Sequence, residues 1–151
     1  MTDDIDKIMD VMDAAFDPQW GEAWNRRQLT DSLAMPHTHY QLIGADGRIP
    51  TESSPAAGFT LTKAAPGEEE LLLVAVRPEF RGTGLGKKLL QIFTDKARER
   101  KADTVFLEMR ANNPAETLYR SVGFEPVGRR ENYYLMADGN RIDAITFRLT
   151  L

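Results

Sequence analysis

A run of six apolar residues, 71–76, leads into a glycine-rich turn and then a helix, and this order constrains the fold more than any other feature of the chain. A continuous apolar strand is typical of the centre of a sheet that is covered on both faces. Behind the turn, Leu85, Leu89, Phe93 and Ala97 recur at helical spacing, with charged residues on the other sides. The sequence therefore predicts a strand, turn and helix unit at the centre of an α/β domain.

The glycine-rich turn is suited to an anionic ligand. Gly82, Gly84 and Gly86 let the backbone approach a ligand closely, and the start of the following helix offers unpaired N–H groups and the positive end of its dipole. Two common phosphate-binding motifs fail on spacing, because a P-loop needs glycine where Arg81 stands and a dinucleotide fingerprint needs glycine where Leu89 stands. Two interpretations remain at this point, a pyrophosphate site and a tight turn with no ligand.

Apolar periodicity and turn residues predict the other elements, in the order ααββ, then βαβα, then ββ. We expect a single α/β (α+β) domain over residues 1–151, with helices flanking a mixed sheet of about six or seven strands. The expected helices are 5–16 behind a Thr2 or Asp3 cap, 24–33, 85–101 and 114–122, and the expected strands are 40–43, 58–63, 71–76, 104–109 and two strands around the turn 137–140.

Composition excludes several classes of protein. The formal net charge of −4 provides no overall positive field, so we expect no nucleic-acid or membrane partner. The chain has no cysteine, which excludes a disulfide scaffold, a thiolate zinc site and a cysteine nucleophile. His37 and His39 have no nearby carboxylate in the sequence, so we expect no metal site. The apolar runs are too short to span a bilayer and the first residues lack signal-peptide features, so we expect a cytoplasmic protein.

The turn also carries a family signature. Arg81, Gly84 and Gly86 follow the apolar strand with the spacing Arg/Gln-x-x-Gly-x-Gly/Ala, in which the sequence resembles the GNAT acyltransferases. The resemblance implies a three-layer domain that holds acetyl-CoA in a cleft between two splayed central strands, the splay being produced by a β-bulge. It also implies that the strand backbone at Val74 and Val76 pairs with the pantetheine arm of the cofactor. The implied pyrophosphate-binding residues are Arg81, Gly82, Thr83, Gly84, Gly86 and Lys87.

A second block extends the resemblance. From about residue 70 to the end, the chain is similar to the GNAT branch that acetylates the N-terminal alanine of a small-subunit ribosomal protein. This implies Glu108 as proton acceptor, Tyr119 as proton donor and cofactor contact, and Asn112 as a pantetheine contact. The interval from Glu108 to Tyr119 is one residue shorter than in that branch, so Asn113 stays an alternative to Asn112. The residues that match the block are Asn112, Ala115, Leu118, Tyr119, Gly123 and Phe124.

The chemistry of these residue types agrees with acyl transfer to an amine. Glu108 lies among apolar residues in its strand, a setting that would raise the pKa of its carboxyl towards a general-base value. The phenol of Tyr119, with an ordinary pKa of about 10, can protonate a thiolate whose thiol has a pKa of about 8.5. A backbone N–H near Val76 can stabilise the oxyanion. The alternatives are a solvated or ion-paired Glu108, with Arg110 as partner, and a Tyr119 that only packs in the core.

The acceptor is an amine, and the resemblance favours a protein N-terminus. Arg129, Tyr133 and Tyr134, with Arg130 beside them, are candidates for binding its first residues, although a hairpin with cross-strand aromatics and solvated arginines has the same pattern. Without a cysteine, direct transfer in a ternary complex is expected. Two other functions remain open, acetylation of a small amine and non-catalytic binding of acyl-CoA. We expect a monomer or a weak homodimer. Segments 17–23 and 48–55 resemble additions near the substrate side.

Overall fold

The computed structural model describes residues 3–151. Its elements follow the predicted order, with a short 3-10 turn, Pro18–Trp20, after the first helix and another, Pro78–Phe80, after the third strand. The helices are α1 (Asp4–Ala15), α2 (Arg26–Leu33), α3 (Leu85–Glu99) and α4 (Glu116–Val122). The strands are β1 (Thr38–Ile43), β2 (Gly58–Ala65), β3 (Glu68–Val76), β4 (Thr104–Arg110), β5 (Glu125–Leu135) and β6 (Arg141–Thr150).

The helix boundaries follow local capping chemistry. Asp3 caps α1, because its Oδ1 accepts the N–H of Asp6 at 2.8 Å, whereas Thr2 lies outside the described residues. Asn25 and Gln28 form a reciprocal capping box, so α2 begins two residues later than the apolar pattern predicted from Trp24. Side-chain acceptors, rather than apolar periodicity, therefore decide where these helices begin.

The strands form one six-stranded mixed sheet in the order β1-β2-β3-β4-β6-β5, which confirms the predicted mixed sheet. The neighbours β3 and β4 are parallel, and within residues 3–151 their pairing is confined to 68–70 against 104–106. Beyond these residues the two strands separate. The splayed pair of central strands is therefore present, and it opens towards the carboxyl ends of β3 and β4.

A bulge in β3 accompanies the splay. Leu61 of β2 lies opposite Leu73 and Thr62 lies opposite Leu71, so Leu72 is an extra residue on β3. A bulge bends its strand and increases its local twist. The expected bulge is therefore found just where β3 leaves β4.

Helices cover the sheet on both faces, giving three layers. On one face α1 and α2 pack against β1, β2 and β3 through a cluster that includes Ile8, Met12 and Phe59. On the other face α3 and α4 pack against β4 and β6 through a cluster that includes Phe93 and Phe147. The prediction that residues 71–76 are fully covered is wrong for the second half of β3. Its residues Leu72, Leu73, Val74 and Val76 are only half-buried, because they border the gap left by β4.

Two buried charged residues tie this framework together. Glu69 is 1% exposed and accepts two hydrogen bonds from Arg100, both at 2.7 Å, at the closed end of the β3 and β4 pair. Lys7 of α1 is also buried and donates to the carbonyl of Thr51 at 2.5 Å. The second bond fastens segment 48–55 to α1. In the part of the chain that the structure describes, no helix is both long and apolar enough to cross a membrane.

Candidate active site

The splay between β3 and β4 opens into a cleft of about 960 Å³. Its walls are the second half of β3, the end of β4, the N-terminus of α3 and one side of α4. The walls are completed by the end of α1 with the following segment, residues 15–24, and by Tyr134 and Met136 at the end of β5. The cleft thus lies where β3 and β4 are no longer hydrogen-bonded to each other. It reaches from one face of the sheet to the other.

The open edge of β3 offers backbone groups to this cleft. The N–H of Arg77 bonds the carbonyl of Ala57, and the register places Ala75 opposite Phe59, so these residues direct their backbone groups towards β2. Because backbone groups alternate in direction along a strand, the N–H and C=O groups of Val74 and Val76 face the side from which β4 has departed. An extended ligand with amide groups can pair with them as an added strand.

The glycine-rich turn presents a helix N-terminus to the same cleft. Gly84 is the N-cap of α3 and has a φ of +87°, a conformation that a side chain disfavours. Within the described range no side chain caps this N-terminus, so the first N–H groups of α3 remain available to an anion. Gly86 has a different role in packing, since a Cβ there would lie 3.0 Å from Cδ2 of Leu118. It lets α3 approach α4.

Not all of the turn residues predicted to bind the pyrophosphate present their side chains to the cleft. Gly82, Gly84, Gly86 and Lys87 line the cleft, together with Arg81. The Arg81 side chain, however, donates to the carbonyls of Ala15, at 2.7 Å, and Val76, at 3.3 Å, so it joins the end of α1 to the end of β3. Thr83 is exposed, is not among the residues that line the cleft, and donates to the carbonyl of Phe80. The turn therefore presents its backbone to the cleft, while these two side chains are engaged in bonds of their own.

Glu108 lines the cleft from β4, but its setting is polar. Its side chain is 21% exposed, its Oε2 lies 3.3 Å from Nε of Arg130, and the hydroxyl of Thr146 donates to the same oxygen at 3.4 Å. The expected apolar setting is therefore wrong. The neighbouring Leu107 and Met109 are apolar but point to the opposite face of the sheet, into the core under α3 and α4. The ion-paired alternative holds, with Arg130 in place of Arg110.

Tyr119 lines the cleft from α4 and belongs to the core as well. Its ring packs edge-on against Phe124, with centroids 6.1 Å apart, and near Phe147 at 6.4 Å. Burial raises the pKa of the Tyr119 phenol, and the nearby Glu22 carboxylate raises it further. The phenol therefore stays protonated at neutral pH and can act as a proton donor. The two interpretations of Tyr119, packing and cleft residue, are compatible.

A buried arginine at the end of β4 also lines the cleft. The side chain of Arg110 is 7% exposed, its guanidinium lies 3.8 Å from the ring centroid of Trp20, and its Nε is 3.5 Å from Oε1 of Glu22. From the sequence, Arg110 was expected only as an ion-pair partner for Glu108, and no contact with Trp20 or Glu22 was predicted. The alternation of side chains along a strand puts Arg110 on the same face as Glu108, and this pattern could have predicted that Arg110 also reaches the site.

The structure distinguishes between the two asparagines before α4. Asn113 lines the cleft, accepts the N–H of Ala115 at 3.0 Å and donates to Glu22 at 3.4 Å. Asn112 is exposed, with a φ of +70°, and is not among the residues that line the cleft. Asn113 is therefore the asparagine that a ligand in the cleft can reach.

The three hairpin residues predicted to bind substrate differ in whether they reach the cleft. Tyr134 lines the cleft, and burial, assisted by the Glu108 carboxylate, raises the pKa of its phenol to about 12. Tyr133 is 48% exposed, and its ring stacks edge-on against Tyr134 with centroids 5.1 Å apart. Arg129 is exposed and donates to Asp143 of β6 at 2.6 Å. Only Tyr134 of the three contributes to the cleft wall. Residues 3–151 contain no group of three side chains that could hold a metal ion.

Comparison with known proteins is consistent with this geometry. Residues 5–124 match the model of the Acetyltransferase (GNAT) family. N-alpha-acetyltransferase RimI of Mycobacterium tuberculosis is 38% identical over 129 residues, which cover 84% of this chain and 75% of that protein. The crystal structure of the ribosomal-protein-S18-alanine N-acetyltransferase from Escherichia coli is similar with a TM-score of 0.79 and 28% identity, covering 99% of this chain and 89% of that one. A chain of the NatC complex bound to Gag peptide and CoA has a TM-score of 0.75 and 27% identity, with coverages of 97% and 90%.

Proposed function

The chain belongs to the GNAT acetyltransferase family, and from this premise we propose that it acetylates the α-amine of a protein N-terminus, with an alanine-initiated ribosomal protein as the first acceptor to test. The observation that carries the proposal is that Glu108 and Tyr119 line one cleft from opposite sides of the sheet. One residue can accept a proton and the other can donate one, as transfer from a thioester to an amine requires.

The cleft fits acetyl-CoA, which supplies the activated acetyl group when it is bound. We assign the pyrophosphate to the backbone of the glycine-rich turn, at Gly82, Gly84 and the first N–H groups of α3, where Lys87 adds a positive charge. We assign the amide-bearing arm to the open edge of β3, at Val74 and Val76. We assign the expected asparagine contact with this arm to Asn113, which lines the cleft.

In this proposal the chain's own groups divide the proton transfers. Glu108 takes the proton that the amine loses, after the mostly exposed Arg130 side chain has moved aside. Tyr119 gives a proton to the departing sulfur, and its raised pKa keeps the phenol protonated until then. A cleft-facing backbone N–H of β3 near Val76 that the amide-bearing arm leaves unpaired is a fixed donor for the oxygen on which charge develops.

An α-amine suits this site better than a lysine side chain does. An α-amine with a pKa near 8 is about 10% neutral at neutral pH, whereas a lysine with a pKa near 10.4 is about 0.04% neutral. A single carboxylate therefore has less work to do on the α-amine, more of which is already neutral. The names of the similar proteins, which include alanine N-acetyltransferases and an N-alpha-acetyltransferase, support the same acceptor.

The test is acetyl transfer from labelled acetyl-CoA to a small panel. The panel contains a peptide with a free N-terminal alanine, the same peptide with a blocked α-amine, an N-blocked lysine peptide, and spermidine. We expect transfer to the free alanine terminus alone, located by mass spectrometry on the α-nitrogen. Preferred transfer to spermidine or to lysine would contradict the proposed acceptor, and tight binding of CoA without any transfer would contradict the activity.

A further inference from the structure

Arg110 is a buried cation whose hydrogen-bonding capacity is not used up. Its side chain is 7% exposed, and its Nε and Nη1 have no hydrogen-bond partner among residues 3–151. Donors on a buried charged group are costly to leave unpaired, so a protein that keeps one at a cleft wall gains when a ligand supplies the acceptor. The residue lines the cleft, and because Nε and Nη1 have almost no accessible surface, a ligand reaches them only once the Trp20 or Glu22 side chain shifts.

The guanidinium is held in place by the segment that follows α1. The Trp20 ring lies 3.8 Å from its central carbon, and Glu22 lies 3.5 Å from Nε, at an ion-pair distance but without a hydrogen bond. Glu22 is held in turn by Asn113, which donates to its other carboxylate oxygen at 3.4 Å. Glu22 thus neutralises Arg110 and Trp20 covers it, but neither gives Nε or Nη1 a hydrogen bond.

The missing acceptor is best supplied by a neutral amide carbonyl. The carboxylates of Glu22 and Glu108 already lie along this part of the cleft, so an acceptor that carries a further negative charge is disfavoured. An ammonium group is excluded for a different reason, because it cannot accept a hydrogen bond. A carbonyl oxygen can accept from one edge of the guanidinium without adding charge. Two ligands of an acetyltransferase carry amide carbonyls, the acceptor peptide and the pantetheine arm of acetyl-CoA.

The position of Arg110 favours the acceptor peptide. Alternate residues of β4, Leu107 and Met109 among them, point into the core beneath α3 and α4. Glu108 and Arg110 therefore point to the other face, away from the helix N-terminus assigned to the pyrophosphate. Their Cα atoms are about 7 Å apart along one strand, so a single N-terminal residue can reach both side chains, its amine at Glu108 and its carbonyl at Arg110.

We propose that Arg110, oriented by Trp20 and Glu22, is a substrate-binding residue that donates hydrogen bonds to the first amide carbonyl oxygen of the acceptor peptide. The enzyme thereby selects amines that carry a neighbouring carbonyl. This inference rests on the proposed function and deepens it, because it names the feature of a peptide N-terminus that a simple alkyl amine lacks.

The test compares two acceptors and three variants. One acceptor is an alanine-initiated peptide, and the other is its alkene isostere, in which a carbon–carbon double bond replaces the first amide and removes its carbonyl oxygen. The variants are Arg110→Met, Arg110→Lys and the matched control Arg98→Met, which changes an exposed arginine of α3 paired with Asp95. Steady-state kcat and KM are measured for both acceptors and for acetyl-CoA.

With kcat/KM referred to the neutral form of each amine, because the alkene also raises the pKa of the amine, we expect the wild-type enzyme to prefer the peptide by about ten- to a hundredfold, the effect of a charge-assisted hydrogen bond. Arg110→Met should lose this preference, mainly through the KM of the peptide, while the KM of acetyl-CoA stays unchanged. Arg98→Met should behave like the wild type. Equal losses on both acceptors, or a raised KM for acetyl-CoA with the peptide preference intact, would overturn the inference.

Two further outcomes keep the inference separate from the proposed function. If Arg110→Met does not fold, the wild-type comparison decides, because a wild type that uses the peptide and the isostere equally well contradicts the role of the carbonyl. If the wild type acetylates neither acceptor, the proposed function fails and this inference fails with it.

Discussion

Nε of Arg130 lies 3.3 Å from Oε2 of Glu108, so the candidate general base is held in an ion pair at the cleft wall. The Arg130 side chain is 61% exposed, which means that solvent screens the pair and little free energy is needed to open it. The pairing therefore represents a resting arrangement from which an incoming amine can take over the carboxylate.

If Glu108 is the proton acceptor, Glu108→Gln should lower kcat by about 10²- to 10⁴-fold, because the amide cannot take the proton that the amine loses. The KM of acetyl-CoA should change little, since the cofactor is assigned to β3 and α3. The matched control is Glu116→Gln, which alters an exposed glutamate of α4 paired with Arg120. Full activity in Glu108→Gln would contradict this role and show that another group accepts the proton.

Burial raises the pKa of Tyr119, and this has a consequence for the pH profile. An acid whose pKa is raised keeps its proton to higher pH, so ionisation of Tyr119 should not lower kcat between about pH 7 and pH 10. Tyr119→Phe should lower kcat across this whole range. The control is Tyr40→Phe, which removes a hydroxyl on β1 that donates to Asp4 of α1. A wild-type kcat that falls with a midpoint near 9, and does so only when Tyr119 is present, would contradict the assignment.

The bond between Glu69 and Arg100 should matter for stability rather than for activity. Glu69 is 1% exposed and Arg100 is 32% exposed, so removing the carboxylate leaves a partly buried guanidinium without its partner. We expect Glu69→Gln to lower the free energy of unfolding by about 2 to 3 kcal/mol, below the range for a fully buried pair because solvent reaches Arg100. Asp95→Asn, in the exposed pair with Arg98, should cost under about 1 kcal/mol. Urea unfolding measures both, and equal losses would contradict the argument.

The hydrogen bonds that Asp143 accepts should be lost at low pH, which would change the local structure of β5. The N–H of Asn132 and the side chain of Arg129 lower the pKa of its carboxyl by donating hydrogen bonds to it. For a carboxyl with a lowered pKa in the folded state, the stabilisation is present above the unfolded-state pKa and is lost as the pH falls through the folded-state value. The amide resonance of Asn132 should therefore shift with a midpoint below about 3.9. A midpoint at or above this value would contradict the prediction. So would an Asp143→Asn variant in which the Asn132 resonance still shifts with pH as in the wild type, because the hydrogen bond from Asn132 to Asp143 would then not be the cause.

Much of the fold could be predicted along the chain, because strand and helix periodicity reflect local geometry. The order of elements, the glycine turn after β3 and the helix ended by Gly123 all followed from such local patterns. The exposure of the second half of β3 could not, since an apolar run reads the same whether or not its neighbouring strand stays alongside. Only the divergence of β4 leaves Val74 and Val76 half-buried and turns them into a ligand-binding edge.

The sequence by itself determined which residue types were available for the chemistry, and its spacing put Glu108 and Tyr119 in neighbouring elements. Tertiary structure decided what surrounds them. Glu108 is paired with Arg130 from β5, and Arg110 is enclosed by Trp20 and Glu22 from a segment some ninety positions earlier in the chain, about the separation of Glu22 from Asn113. Contacts of this range depend on how the layers stack and not on any local pattern, which is why the environment of a site residue is decided only when the chain has folded.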